Sequence, residues 1–138
     1  MDFIDTIADT IFGWCLDANA ANYGTMVNSG SLSWVLIFLV LISLVAPLVF
    51  YYGISKVAAN ATKKNYILVL FVGWIVLLLA NFVIVPTIVD DWSYAFDLNN
   101  IVLSLVDSGY YVVLFGIISW LVKDRSNGKY VHLLNAFN

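Results

Sequence analysis

Three long apolar runs, separated by short polar segments, dominate the chain. The first covers residues 34–54, 21 positions with no charge and only Ser43, Pro47 and Gly53 to interrupt it. The second covers residues 66–89, 24 positions whose one strongly polar member is Asn81. Both exceed the roughly 20 residues that an α-helix, rising about 1.5 Å per residue, needs to cross a hydrocarbon core of about 30 Å. The third is less clean. Residues 108–122 give 15 uncharged positions, and extension back to Ile101 gives 22 with Asp107 inside the run. Helices over 34–54, 66–89 and 101–122 are the expectation, and a re-entrant hairpin in place of the third is the alternative.

Ahead of the first run the periodicity changes. Ile4, Ile7, Ala8, Ile11, Phe12 and Cys15 recur at three- and four-residue spacing, with Asp2, Asp5 and Asp9 on the remaining face. That pattern predicts an amphipathic helix over residues 1–18, followed by a Gly/Asn/Ser-rich connector over 19–33. A cleavable signal peptide is not expected, because the segment is acidic and lacks a long apolar core. Interfacial helices carry Lys or Arg opposite their lipid face, whereas this one carries aspartate. Ile4, Ile7, Ile11 and Phe12 are therefore expected to dock onto another protein or a second copy, in preference to lipid headgroups.

Charge adds an orientation. Lys56, Lys63 and Lys64 fall in or beside the segment 55–65, and Lys123, Arg125 and Lys129 fall in the tail 123–138. Asp2, Asp5, Asp9 and Asp17 precede the first run; Asp90, Asp91, Asp97 and Asp107 lie in or just beyond the segment 90–100. Segment charges alternate as −4, +3, −4 and +2 along the chain. The positive-inside rule then places the basic segments in the cytoplasm, with the N-terminus outside and the C-terminus inside. Only an odd number of crossings puts both basic segments on one face. Rings at the helix ends suit headgroup depth: Trp34, Trp92 and Tyr94 outside, Tyr51, Tyr52, Tyr66 and Trp120 inside. Trp74 lies deeper and is expected to pack against a neighbouring helix.

Composition closes other classes. Of 138 residues, 62% are hydrophobic and 11% charged, with a mean hydropathy of +0.92. Soluble domains run near 45–50% apolar and about 25% charged, and a chain this short cannot bury the excess. A net charge of −3 and a pI near 4.6 speak against nucleic-acid partners. The expected fold class is an all-α integral membrane protein: three transmembrane helices preceded by an amphipathic helix.

Little in the chain points to chemistry. Cys15 has no partner for an internal disulfide, and His132 lacks the second ligand a metal cage needs, so a solvated tail histidine is expected. Phosphate loops and CxxC pairs are absent, Asp90–Asp91 reads as a solvated loop, and the Asn60-Ala61-Thr62 sequon falls on the cytoplasmic side. No cofactor, metal or catalytic set is expected. Asp107 is the one ionisable residue inside a predicted span. A helix-capping role there is favoured over a proton relay. Asn81 is expected to hydrogen-bond to another helix in preference to lining a pore. Gly73 and Ala80, and Gly109 and Gly116, are each seven apart, so close approach of two antiparallel helices is expected there, with Ser119 extending the second face. Pro47 and Pro86 are expected to kink or end their helices. Asn127-Gly128 predicts a turn that folds residues 130–134 back toward the membrane surface.

The function expected is a small non-enzymatic membrane subunit that packs into a larger assembly of secretion, injection or transport type. Its partners would be the bilayer, other membrane subunits and copies of itself, in the inner membrane of a bacterium. Three spans, an outer N-terminus and a basic cytoplasmic tail also resemble the plan of three-span phage holins. That resemblance implies a self-assembled pore with Ser43, Asn81 and Ser119 turned to water. A third reading is an ion-coupled transport subunit built from several copies around Asp107 and Asn81.

Overall fold

A computed structural model describes residues 2–20 and 23–137, with the side chain of Asp2 left aside. The chain is 84% helical, with no strand among the described residues. The helices are α1 (Asp2–Phe12), α2 (Tyr23–Asn28), α3 (Ser31–Leu48), α4 (Lys63–Val89) and α5 (Leu98–Val122). With their flanking turns, three segments are long and apolar enough to cross a membrane: Ser31–Lys56, Lys63–Val89 and Leu98–Arg125. The third is continuous through Asp107, so there is no re-entrant hairpin.

Local chemistry explains where the helices stop and start. The connector is not structureless: it holds α2 and the first turn of α3. Gly30, with φ 82°, makes the left-handed turn between them, and Ser31 Oγ donates to Met26 O at 2.7 Å. Pro47 does not end its helix abruptly. One residue further on the chain widens into a π-helical turn, Val49–Gly53, a form that tolerates a disturbed hydrogen-bond ladder. At the end of α4, Asp90 takes φ 58° and the Asp91 N–H reaches back to Pro86 O at 3.0 Å. That bond closes the helix in a Schellman-type cap. Asp91 then starts the turn Trp92–Phe96. The hydroxyl and amide of Ser93 both donate to its carboxylate, at 2.7 and 3.0 Å, and hold it below the usual carboxylate range.

The chain forms two compact units, 1–39 with 77–109 and 40–76 with 110–138. In the first, α1 and α2 pack with parts of α3, α4 and α5. Phe12, Met26, Val35, Leu77, Val85 and Leu103 are fully buried there. The apolar face of α1 is thus covered by its own chain. Ala8 and Phe12 have no exposed surface, Ile4, Ile7 and Ile11 are half-buried, and Ser33 Oγ donates to Asp5. This corrects the expectation that Phe12 is presented to a partner: an internal surface within reach covers it first. Partial burial, with Asp5 close by, also raises the carboxyl of Asp9 above its ordinary value.

The second unit is built on rings. Phe50, Tyr51, Tyr66, Tyr111 and Phe115 are buried and meet largely edge to face, with centroids 4.8–6.2 Å apart. Tyr51 and Tyr66 therefore face the interior of the unit and not its surroundings. Each hydroxyl has an internal acceptor, so burial leaves no orphaned group. Trp74 pairs with Phe71 of its own helix. After α5 the tail turns back at Asn127-Gly128, as the dipeptide predicts. Asn127 Nδ2 donates to Ser55 O at 2.9 Å, Tyr51 Oη donates to Val131 O and Ser126 Oγ donates to Tyr51 O. His132 is consequently half-buried and edge-on to Trp120 at 5.1 Å, not solvated.

Candidate functional site: a buried acid–amide pair

Among the described residues, the first unit contains one buried carboxyl. Asp107 and Asn81 are both fully buried, and Asn81 Nδ2 donates to Asp107 Oδ2 at 2.7 Å. The second oxygen of each side chain, Asp107 Oδ1 and Asn81 Oδ1, has no hydrogen-bond partner. No cation is bonded to the acid, since among the described residues the one ion pair is Lys123–Asp124. Asn81 thus does what its position in α4 suggests, a hydrogen bond to another helix. The acid does not cap α5. That role belongs to Asp97, which accepts the Asn99 N–H at 2.9 Å through its side chain and the Ile101 N–H at 3.0 Å through its carbonyl. Asp97 directly precedes the helix, whereas Asp107 is nearly three turns inside it.

More polar groups lie along the same part of α5. Ser104 Oγ donates to Asn100 O at 2.9 Å and Ser108 Oγ to Ser104 O at 2.8 Å. Such back-bonding satisfies a buried hydroxyl within its own helix. Asn100 Nδ2 donates to Ala95 O at 3.1 Å. Asn99 Oδ1 accepts the Asp17 N–H at 2.9 Å, which ties the segment after α1 to the start of α5. Asp107 Oδ1 and Asn100 Oδ1 are the acceptors on this part of α5 left without a partner, and Asp107 is the carboxyl of the two.

The small residues behave differently from one another. Gly73 lies directly under the Tyr111 hydroxyl, with Ala46 Cβ at 3.5 Å from where a side chain would begin. Tyr111 Oη donates to Leu70 O at 2.9 Å. The atoms nearest Gly116 belong to Leu133 of the tail. Gly109 is exposed and has nothing within 4 Å of a Cβ position, so the expected Gly109–Gly116 seam is not formed. Ala80 is half-buried. Ser119, fully buried, accepts from Tyr66 Oη at 3.0 Å. The tyrosine cluster escapes a reading by composition, because rings with a polar tip look alike at an interface and in a core. The spacing of Tyr111, Phe115 and Ser119, four residues apart on one face of α5, was the available signal.

Chemically, the pair can hold a proton or offer two oxygens to a small cation. No group of three or more His, Cys, Asp or Glu side chains that could bind a metal occurs among the described residues. No family model, curated protein or solved structure matches the chain.

Proposed function

We propose that the chain is a small non-enzymatic integral membrane subunit, N-terminus outside and C-terminus in the cytoplasm, that packs into a larger assembly in a bacterial inner membrane. The observation that carries this reading is the sorting of side chains on the long helices. Every serine, asparagine and aspartate of α3 and α5 is buried, and so is Asn81 of α4. Outward positions such as Leu41, Leu68, Val72, Leu79, Leu105 and Ile117 are apolar. Apolar surface on this scale suits lipid tails or other membrane helices. It also weighs against the holin-like reading, since Ser43, Asn81 and Ser119, the side chains needed to wet a pore, have no exposed surface.

A pull-down in mild detergent is expected to recover unrelated membrane chains, and expression of the protein alone is expected to leave the membrane potential intact. Recovery of the chain by itself, or a collapsed potential, counts against the subunit reading. Orientation has its own test. The Cys15 thiol is half-buried and donates to Phe12 O, and burial pushes it above the ordinary cysteine value, offset in part by a hydrogen bond from its own backbone. An impermeant maleimide is expected to label it from outside intact cells, more slowly than an exposed cysteine. Since the thiolate reacts, the rate should climb roughly tenfold per pH unit below the raised value. Labelling that requires permeabilised cells would reverse the orientation.

A second reading, an ion-coupled transport subunit, is favoured by one observation: the free oxygen of Asp107 in a site without a cation. In that case the acid would carry a proton or small cation through the assembly.

A further inference from the structure

We propose that the C-terminal end of α5, with the tail folded against it, binds an anionic phospholipid; the inference rests on the membrane reading above. Two hollows in the second unit share Trp120 and His132 as walls. One, about 400 Å³, is otherwise lined by Val113, Gly116, Ile117, Leu121, Leu133 and Leu134. The other, about 580 Å³, is lined by Lys123, Asp124, Lys129, Tyr130 and Asn135. An apolar trough and a pocket carrying two lysines and one aspartate thus share two walls. An amphiphile with an acyl chain and an anionic head has the same division. The trough exists because Leu133, from the returning tail, seats on Gly116 where α5 has no side chain.

The head pocket favours a phosphate over a zwitterion. Lys123 Nζ lies 4.2 Å from the centroid of Trp120, and Lys129 Nζ 5.1 Å from that of Tyr130. The ring faces that would attract a quaternary ammonium already hold cations. The one opposing charge, Asp124, is 80% exposed and pairs with Lys123 at 3.0 Å, an ion pair that a phosphate can displace. Buried in the shared wall, His132 Nδ1 has no hydrogen-bond partner in the protein.

Brominated lipids test the site directly, because bromine quenches a tryptophan it touches. A chain retaining Trp120 alone, with Trp14, Trp34, Trp74 and Trp92 changed to Phe, would be placed in phosphatidylcholine vesicles holding a minor fraction of brominated lipid. Brominated phosphatidylglycerol is expected to quench about threefold more than an equal fraction of brominated phosphatidylcholine. K123Q/K129Q should abolish the difference, and a chain retaining Trp34 alone should show none. Equal quenching by the two lipids overturns the site, as does a preference that survives K123Q/K129Q or also appears at Trp34. Absence of quenching by either lipid overturns the membrane reading itself and takes the site with it. Native mass spectrometry of the unsubstituted chain, released from mixed phosphatidylglycerol and phosphatidylcholine, gives a second readout. A retained phosphatidylglycerol adduct, lost in K123Q/K129Q, is the expected result, and retention without headgroup preference overturns the proposal.

Discussion

Asn81→Leu is expected to cost about 2–4 kcal/mol of stability, because it removes the hydrogen bond to a fully buried acid and leaves that acid without any donor. The size follows from an asymmetry. An interhelical hydrogen bond in a membrane is itself worth only about 0.6–2 kcal/mol, but a polar group stranded in a low-dielectric interior bears its full desolvation cost. Removing both partners should therefore do less harm than removing one. The double variant N81L/D107L is expected within about 1 kcal/mol of the unsubstituted protein. Asp107→Asn, which keeps an amide in place of the acid, should likewise cost less than about 1 kcal/mol. Detergent titration in mixed micelles of the unsubstituted protein, N81L, D107L and N81L/D107L, read as a double-mutant cycle, with Asp107→Asn alongside, measures all of these. An Asn81→Leu protein as stable as the original would remove the pair from any account of the fold. The same Asp107→Asn chain divides the functional readings. A packing subunit should retain its partners and its assembly's activity, whereas an ion-coupled subunit should assemble and lose transport.

Two glycines of the long helices are expected to respond to the same substitution with opposite sign. Gly73→Ala drives its new methyl into the hydroxyl of Tyr111, a fully buried ring that donates to Leu70 O and packs on Phe115. Overpacking and a lost buried hydrogen bond together should cost about 2–4 kcal/mol. Gly109→Ala meets nothing within 4 Å on an exposed face of α5. There the gain in helix propensity should stabilise the protein by about 0.5–1 kcal/mol. The same detergent titration reads both, and a neutral Gly73→Ala would mean that Tyr111 is not fixed where it stands.

The long helices were legible because membrane-length apolar runs are a signal that no short-range competition erases. Residues 34–54, 66–89 and 101–122 became Ser31–Leu48 with its π turn, Lys63–Val89 and Leu98–Val122. The polar members of those runs were harder. Asn81 could be recognised as an interhelical bonding residue, but its partner could not be named, because pairing depends on helix register. Asp107 was assigned to capping only because the third run was started too late; Asp97 and the Asn99-Asn100 pair mark the true start. At α1 the apolar face was evident from spacing, and what covers it was not. A helix that docks on its own chain has the same periodicity as one that docks on another. Tyr51 and Tyr66 illustrate a further degeneracy, since an internal acceptor satisfies a phenol as well as interfacial water does.

The way the tail closes the second unit has a consequence for biosynthesis. Tyr51 is held from both ends by residues made much later: Ser126 bonds its carbonyl and Val131 accepts its hydroxyl, across sequence separations of 75 and 80 residues. Neither bond can form while those residues are still within the ribosome. Translation at about 5–20 residues per second imposes a delay of several seconds between the synthesis of Tyr51 and that of its partners. During that interval Phe50 and Tyr51 have their ring neighbour Tyr66 before they have the tail. Closure at this end of the chain is thus a late, long-loop event, and a newly made copy passes through a period in which the tyrosine cluster is open to other chains.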